Sequence, residues 1–230
     1  MKKLLSVMAM FLMVAVTAFP SGALATPILE LSDGSTTLTI IDNGPGDANL
    51  ILGAVTYVGQ VGRNWWINVT TGLTTPASGS ASLPKMDLNS VDISKGAGNL
   101  TLMFSDTGYN LSGSLLATMA IGGTTPGKPG GGLTYTTYFN DNNVPFDKTG
   151  GVIGTLGTFQ SLSFNGALTN NITPDNLYSL TQVVTIKHLG LGTSSFNATL
   201  DLVPLPASAL LLGSGMMGLV LLGWRRRQTS

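Results

Sequence analysis

The side chains that could carry out acid–base or nucleophilic chemistry in this sequence are eleven carboxylates and a single imidazole. Ten aspartates and Glu30 supply the carboxylates, His188 is the one histidine, and cysteine is absent. A Ser–His–acid mechanism would have to use His188, yet no nucleophile-elbow sequence lies near it. A zinc site draws on several histidine or cysteine ligands, which this chain lacks. We therefore expect His188 to be structural or exposed, and we predict no catalytic residue, metal ion or cofactor.

Glycoside hydrolysis is a reaction that aspartates alone could support, because it needs two carboxylates placed across a cleft. Most of the aspartates lie in turn-like stretches, where Asp is favoured for its hydrogen bonds to nearby backbone amides. The sequence singles out no pair of them. A secreted hydrolase using paired aspartates is therefore the alternative function and not the first one.

Two loops carry clusters of oxygen ligands that calcium would accept. Asp42, Asp47 and Asn49 fall in one loop, and several Asn and Asp residues fall in another at 140–147. Neither loop has the ligand spacing and terminal Glu of an EF-hand. Turn chemistry explains both clusters without an ion.

Two adjacent tryptophans suggest a contact surface for sugar rings. Neighbouring residues of a strand point to opposite faces, so we expect Trp65 to face the core with Ile67 and Val69. The opposite, polar face would carry Trp66, Asn68 and Thr70. Trp66, together with Tyr57, is our candidate carbohydrate contact, and the alternative is that a loop or a second sheet covers Trp66.

The elements that must position these residues are strands. Apolar and β-branched runs recur between turn residues, and we predict ten strands, at 36–41, 50–58, 65–71, 86–93, 100–104, 114–121, 134–139, 159–164, 178–188 and 195–202. Strands without intervening helices favour two packed antiparallel sheets over a parallel α/β sheet. The predicted fold is an all-β, jelly-roll-like antiparallel β-sandwich in one domain, 26–202. A β-solenoid would need a fixed repeat period, which we do not find.

The charge of the chain is unevenly distributed. Lys+Arg and Asp+Glu both number 11, but five of the basic residues lie near the two ends. The central domain keeps six basic and eleven acidic residues, a net charge of about −5. Phosphate contacts need clustered Lys and Arg, so we predict no nucleic-acid partner.

The N-terminus has the three parts of a secretory leader. A basic start at 1–3 precedes an apolar run at 4–19, and Ala23 and Ala25 offer small residues at the two positions that signal peptidase reads. We predict a signal peptide at 1–25, cleaved by signal peptidase. The alternative is an uncleaved N-terminal membrane anchor.

The C-terminus has the features of a membrane stop. Residues 207–224 carry no charge, and Arg225, Arg226 and Arg227 follow at once. Eighteen residues at about 1.5 Å each span roughly 27 Å, enough for a transmembrane helix. Arginines stay on the cytoplasmic side, which places the β-domain beyond the membrane. A buried helix of the domain is the alternative, and it leaves the three arginines unexplained.

The same segment resembles a known sorting signal. Its motif consists of Val203, Pro204, Leu205 and Pro206. With the apolar helix and the arginine cluster, the segment 203–227 resembles the PEP-CTERM tail of exported proteins of Gram-negative bacteria. Leu205 stands where the family usually has Glu, so this is a Val-Pro-Leu-Pro variant. The resemblance implies an exosortase-type membrane peptidase as partner, Arg225 to Arg227 as a retention signal, and transient anchoring in the inner membrane.

Together these features predict an exported protein of the cell surface or extracellular matrix, sorted through its tail. We expect its domain to be a non-enzymatic component that binds polysaccharide, such as exopolysaccharide, or other proteins. Two carboxylates about 5–10 Å apart in a concave site would favour the hydrolase instead. An exposed aromatic strip would favour binding. Ice or mineral binding through threonine arrays is a third hypothesis, against which Thr-x-Thr spacing is not regularly repeated.

Overall fold

The computed structural model describes residues 26–80 and 82–205, and within these ranges the regular elements are twelve strands and no α-helix. The strands are β1 (Ile28–Ser32), β2 (Thr37–Ile41), β3 (Ala54–Val61), β4 (Trp65–Leu73), β5 (Lys85–Ser94), β6 (Ala97–Tyr109), β7 (Leu115–Thr124), β8 (Gly132–Asn140), β9 (Val152–Phe159), β10 (Ser163–Ile172), β11 (Tyr178–Leu189) and β12 (Gly192–Pro204).

The strands form two six-stranded sheets. Sheet A has the order β2-β1-β6-β11-β8-β9, and sheet B has the order β10-β7-β12-β5-β4-β3. Every neighbouring pair is antiparallel. The predictions of an all-β chain and of two antiparallel sheets are confirmed, and the arrangement is consistent with a β-sandwich.

The core lies between the two sheets, and in strands such as β5 buried residues alternate with more exposed ones. Along β5, every second residue from Met86 onward is buried and the residues between them are partly exposed. Leu88 of sheet B and Leu102 and Phe104 of sheet A belong to one continuous cluster of fully buried side chains. Truncating such a side chain to alanine costs about 2–5 kcal/mol. This core fixes which face of each strand points outward.

The predicted strand at 50–58 begins too early, because β3 starts at Ala54. Leu50 is 88% exposed and lies just before the turn at 51–53. The Asp42 carboxylate accepts a hydrogen bond of 2.8 Å from the Gly53 amide, and Gly53 has a φ of 84°. That anchored turn ends the apolar run before it can join the sheet.

The prediction of one strand at 159–164 is wrong, because the chain turns there from sheet A to sheet B. β9 ends at Phe159 and β10 begins at Ser163. The rings of Phe159 and Phe164 stack with centroids 4.7 Å apart. The two aromatic residues therefore face each other across a corner and do not alternate along one strand.

The five-residue strand β1 was not predicted. It inserts between β2 and β6, and its Leu29 and Leu31 are fully buried. A strand this short gives too few alternating residues to be recognised from sequence.

Candidate functional site

Four cavities have described linings, and the largest of them lies on the outer face of sheet A. It has a volume of about 560 Å³. We call it the sheet A groove. Serine and threonine side chains form much of its floor, and no aromatic residue lines it. Its two charged side chains are Asp33 and Lys187.

The floor of the groove is a line of hydroxyls that crosses five strands. We call it the hydroxyl row, and its members are Ser32, Thr101, Thr185, Thr134 and Thr158. The strand register places the first four directly opposite one another in this order. Thr134 and Thr158 are joined by a hydrogen bond of 3.3 Å between their hydroxyls. Strands about 4.8 Å apart give the row a length of roughly 19 Å.

A second line of residues lies beside the hydroxyl row on the same face. Lys187 of β11 stands opposite Asn99 of β6 and Gly132 of β8. Gly132 has a φ of 131°, and the Phe159 carbonyl lies where a Cβ would stand. Only glycine fits this close approach of two strands.

One wall of the groove is the turn between β1 and β2. The Asp33 Oδ1 atom accepts hydrogen bonds from the Thr36 amide at 2.7 Å, the Ser35 amide at 2.9 Å and the Ser35 hydroxyl at 2.8 Å. These bonds, chiefly the one from the Thr36 backbone, lower the pKa of Asp33. Gly34 completes the turn with a φ of 88°. Asp33 is the one carboxylate in the groove, and its Oδ1 atom is already used by the hydrogen bonds of the turn.

The other half of the outer face of sheet A is covered by the loop between β8 and β9. The Phe146 amide donates a hydrogen bond of 3.1 Å to the Ser105 hydroxyl. The Ser179 hydroxyl donates one of 2.8 Å to the Val144 carbonyl. This loop confines open binding surface on sheet A to the half that holds the groove.

Two carboxyl groups with raised pKa lie in the interior and away from the groove. Asp106 accepts hydrogen bonds from Thr74 and Tyr109 at 2.9 and 3.1 Å, and burial raises its pKa. Asp92 is fully buried, and burial raises its pKa to about 7. Neither residue lines any of the four cavities with described linings. The paired carboxylates that hydrolysis needs are not assembled in these cavities.

The oxygen clusters that calcium would accept are instead used by turns. Asp47 accepts hydrogen bonds from the amides of Asn49, Thr56 and Asn43 at 2.8–2.9 Å. In the second cluster, Asp147 accepts from the amide and the hydroxyl of Thr149. Among the described residues, no group of three or more His, Cys, Asp or Glu could hold a metal ion.

His188 is buried between serine hydroxyls, as expected for a structural histidine. Its Nδ1 lies 2.6 Å from the Ser94 hydroxyl and its Nε2 lies 2.7 Å from the Ser194 hydroxyl. Ser94 donates its proton to the Gly190 carbonyl at 2.9 Å. Ser94 must therefore accept from Nδ1–H, which leaves Nε2 to accept from Ser194. No carboxylate completes a triad, and burial lowers the pKa of the imidazole.

The structure places Trp65 and Trp66 on opposite faces of sheet B, as predicted. Trp65 is fully buried and Trp66 is 43% exposed. A β-bulge between Ile67 and Val69 then reverses the alternation, since the register with β5 shifts there. Thr70 is consequently buried, and the prediction that it shares the outer face with Trp66 is wrong. The extra residue of a bulge has no partner, so every later side chain changes face.

Tyr57 does not lie beside Trp66. The register pairs Tyr57 with the buried Thr70 and pairs Trp66 with the exposed Gln60, so the two rings lie on opposite faces of sheet B. The Tyr57 hydroxyl donates a hydrogen bond of 3.1 Å to the Gln60 carbonyl. The predicted pair of carbohydrate contacts is therefore not assembled, and of these two residues only Trp66 presents its ring on the outer face of sheet B.

Part of the predicted sorting motif lies in the described structure. Val203 and Pro204 end β12, opposite Leu116 and Leu115 of β7. Leu205 donates a backbone hydrogen bond of 3.1 Å to Ser114. The other predicted signals lie outside the described residues: Ala23, Ala25, Pro206, the helix 207–224, and Arg225, Arg226 and Arg227. In 26–80 and 82–205, no helix is long and apolar enough to span a membrane.

No protein-family model and no curated protein matches this chain. Among solved structures, the K1 cleaved adhesin domain of Lys-gingipain from Porphyromonas gingivalis W83 aligns over 66% of this chain and 98% of its own, with 7% identity and a TM-score of 0.33. The mannan-recognising carbohydrate-binding module TmCBM27 aligns over 62% and 90%, with 12% identity and a TM-score of 0.30. The CBM22-1 xylan-binding domain of Xyn10C from Paenibacillus barcinonensis aligns over 66% and 95%, with 10% identity and a TM-score of 0.28. Similarity this low carries no argument about function.

Sequence reasoning missed the hydroxyl row altogether. Its members are spread over more than 150 positions, from Ser32 to Thr185, and each comes from a different strand. The signal that could have found it is the strand pairing, which no local pattern contains.

Proposed function

We propose that this chain is an exported protein of the cell surface or extracellular matrix whose β-sandwich binds an extended polysaccharide without cleaving it. The observation that carries the proposal is the sheet A groove, an open channel of about 560 Å³ floored by the hydroxyl row. Hydroxyls can both donate and accept hydrogen bonds, which matches the hydroxyl-rich surface of a glycan chain. A row of roughly 19 Å accommodates several sugar rings in line.

The hydroxyls at the centre of the row are available to a ligand. The side chains of Thr101 and Thr185 make no hydrogen bond within the part of the chain that the structure describes, and the side chain of Thr185 is exposed. Each hydrogen bond formed to such a group contributes about 0.5–1.5 kcal/mol. The single carboxylate of the groove, Asp33, already caps a turn. These features support binding over hydrolysis.

The strand order supports the finer description of the fold as a jelly roll. Within β5 to β12, β5 pairs with β12 and β6 pairs with β11, while β7 and β8 pair with the other sides of those same strands. This nested pairing of eight strands in two sheets is that of a jelly roll. The strands β1 to β4 extend both sheets by two strands each.

The proposal includes delivery through the two ends of the chain. Residues 1–25 act as the signal peptide, and the PEP-CTERM-like segment 203–227 acts as the sorting tail, read by an exosortase-type peptidase. β12 ends at Pro204, so the first two residues of this segment pair with β7 and the rest follows directly from the folded domain. Transient anchoring in the inner membrane then precedes release to the envelope or matrix.

Binding is tested with the full chain and exopolysaccharide isolated from the source culture. The variant Thr101→Val/Thr185→Val removes two hydroxyls with little change of shape, and valine suits exposed strand positions. We expect affinity to fall about 5- to 100-fold, because two hydrogen bonds are lost. The matched control is Thr118→Val/Thr199→Val, which makes the same change on the outer face of sheet B. Equal affinity of both double variants and wild type would refute the proposal.

Delivery is tested by fractionation of cells that express the full chain or a chain ending at Leu205. Ending the chain there keeps β12 intact, whereas truncation before Val203 would remove its last two residues. We expect the full chain in the membrane and surface fractions and the shortened chain in periplasm and medium. Identical distribution of the two chains would contradict sorting by the tail.

A further inference from the structure

The sheet A groove ends beside two lysines that no described carboxylate neutralises. Lys187 lines the groove, and Lys128, in the loop between β7 and β8, lines a small adjoining pocket together with Lys187. Both side chains are exposed. The one ion pair among the described residues joins Lys85 to Asp201 at 3.5 Å, on the other sheet.

Two lysines that line the same small pocket and have no ion-pair partner among the described residues make this end of the groove locally positive. The central part of the chain carries a net charge of about −5, so this positive site stands out from an acidic domain. His188 lies in the same pocket and adds no charge, because its two nitrogens are held by serines and its pKa is lowered by burial and by Lys128. The positive potential therefore comes from the two lysines.

Lys187 belongs to the lining of the groove itself. It stands opposite Gly132, which also lines the groove, so a ligand on the groove floor at β8 lies beside the lysine. The Asp33 carboxylate lies at the opposite side, at the end of β1, two strands from β11, or about 10 Å. The groove is positive on one side and negative on the other, with neutral hydroxyls between.

We infer that the groove binds a glycan whose sugar units carry carboxylates beside neutral hydroxyls, as uronic acids do. A carboxylate lies at Lys187 and Lys128, and neutral hydroxyls of the neighbouring units lie along the hydroxyl row toward Asp33. A polymer with an anionic group at every hydroxyl is disfavoured, since Asp33 would repel it. This inference rests on the proposed polysaccharide binding and adds the charge of the ligand.

The test uses the full chain with polygalacturonate, with alginate, and with the carboxyl-reduced form of each polymer. We expect both acidic polymers to bind at least about tenfold more tightly than their reduced forms, as hydrogen bonds to charged groups allow. The preference should shrink when salt rises from about 0.05 to about 0.5 M, because exposed charges are screened. Lys187→Gln and Lys128→Gln should each reduce it several-fold, and Lys187→Arg should keep it. Lys148→Gln, which makes the same charge change outside the groove, is the control.

The outcomes separate this inference from the proposed function. Equal affinity for acidic and reduced polymers, lost in Thr101→Val/Thr185→Val, overturns the inference and leaves polysaccharide binding in place. Binding of native exopolysaccharide but of neither acidic polymer overturns the inference in the same way. Binding that neither the threonine nor the lysine variants alter overturns both. An equal loss in Lys148→Gln and Lys187→Gln shows a general charge effect and also rejects the inference.

Discussion

Replacing Asp92 with asparagine should remove a loss of stability that the domain suffers between pH 4 and pH 8. Asp92 lies in the core, where its Oδ1 accepts a hydrogen bond of 2.7 Å from the Ser90 hydroxyl. Its Oδ2 has no hydrogen-bond partner in the described structure. Burial raises the pKa of this carboxyl to about 7, and the Ser90 bond opposes the shift. The folded protein therefore prefers the neutral acid.

The size of the effect follows from the two pKa values. The carboxyl ionises with a pKa of 3.8 when unfolded and about 7 when folded. At about 1.4 kcal/mol per unit of pKa, this difference amounts to roughly 4 kcal/mol. Because the folded pKa is the raised one, the stabilising contribution is complete below pH 3.8 and is lost as pH rises through about 7. Asparagine stays neutral throughout and can still accept the hydrogen bond from Ser90.

Urea unfolding followed by tryptophan fluorescence measures the effect, since the buried Trp65 reports on the core. The difference in free energy of unfolding between Asp92→Asn and wild type should grow by about 4 kcal/mol from pH 4 to pH 8. Asp175→Asn, at an exposed aspartate, is the matched control and should track wild type. If the free energy of unfolding of Asp92→Asn also stays within about 1 kcal/mol of wild type at both pH values, Asp92 is not a buried carboxyl with a raised pKa.

Three further outcomes are expected. An NMR titration of His188, the one histidine, should give a midpoint below 6.5. The neutral imidazole then stabilises the fold above that pH, and this contribution is lost on acidification. A midpoint above 6.5 would contradict the burial of the imidazole. Trp65→Ala should lower the free energy of unfolding by about 3–5 kcal/mol and Trp66→Ala by far less, and unchanged glycan binding of Trp66→Ala would remove that residue as a contact. Gly72→Ala should destabilise by about 1–3 kcal/mol, because its Cβ would lie 2.5 Å from the Phe104 ring; a stability equal to wild type in urea would show that the strands separate freely there.

The features that could be predicted from the sequence are those that depend on residues close to each other in the chain. Alternation over two or three positions is enough to place Trp65 inside and Trp66 outside. It fails at Thr70, because the bulge before it depends on how β4 pairs with β5. The strand content and the two-sheet arrangement follow from many such local patterns, and one bulge does not change them.

The candidate site could not be predicted in this way, because its residues meet only through pairing. Ser32, Thr101 and Thr185 belong to three strands that are neighbours in sheet A, although four other strands separate each of them from the next along the chain. The sequence directed attention to Trp66 since a tryptophan is conspicuous by itself. Threonines are common in β-strands, so threonines in separate strands do not indicate a site by themselves. They form a row only because the strand register aligns them.

The position of the groove relative to the tail ties the two halves of the proposal together. Lys187 lies just before the turn into β12, which starts at Gly192 and runs for 13 residues to Pro204. At about 3.3 Å per residue, the tail leaves the sandwich roughly 40 Å from that turn. The loop that covers sheet A lies toward the tail end, since it contacts Ser105 and Ser179 rather than the groove. A chain held at a membrane by its tail would therefore expose the groove on the distal side, where a matrix polysaccharide is found. A groove at the tail end would have faced the bilayer, and the sorting and binding proposals would then have opposed each other.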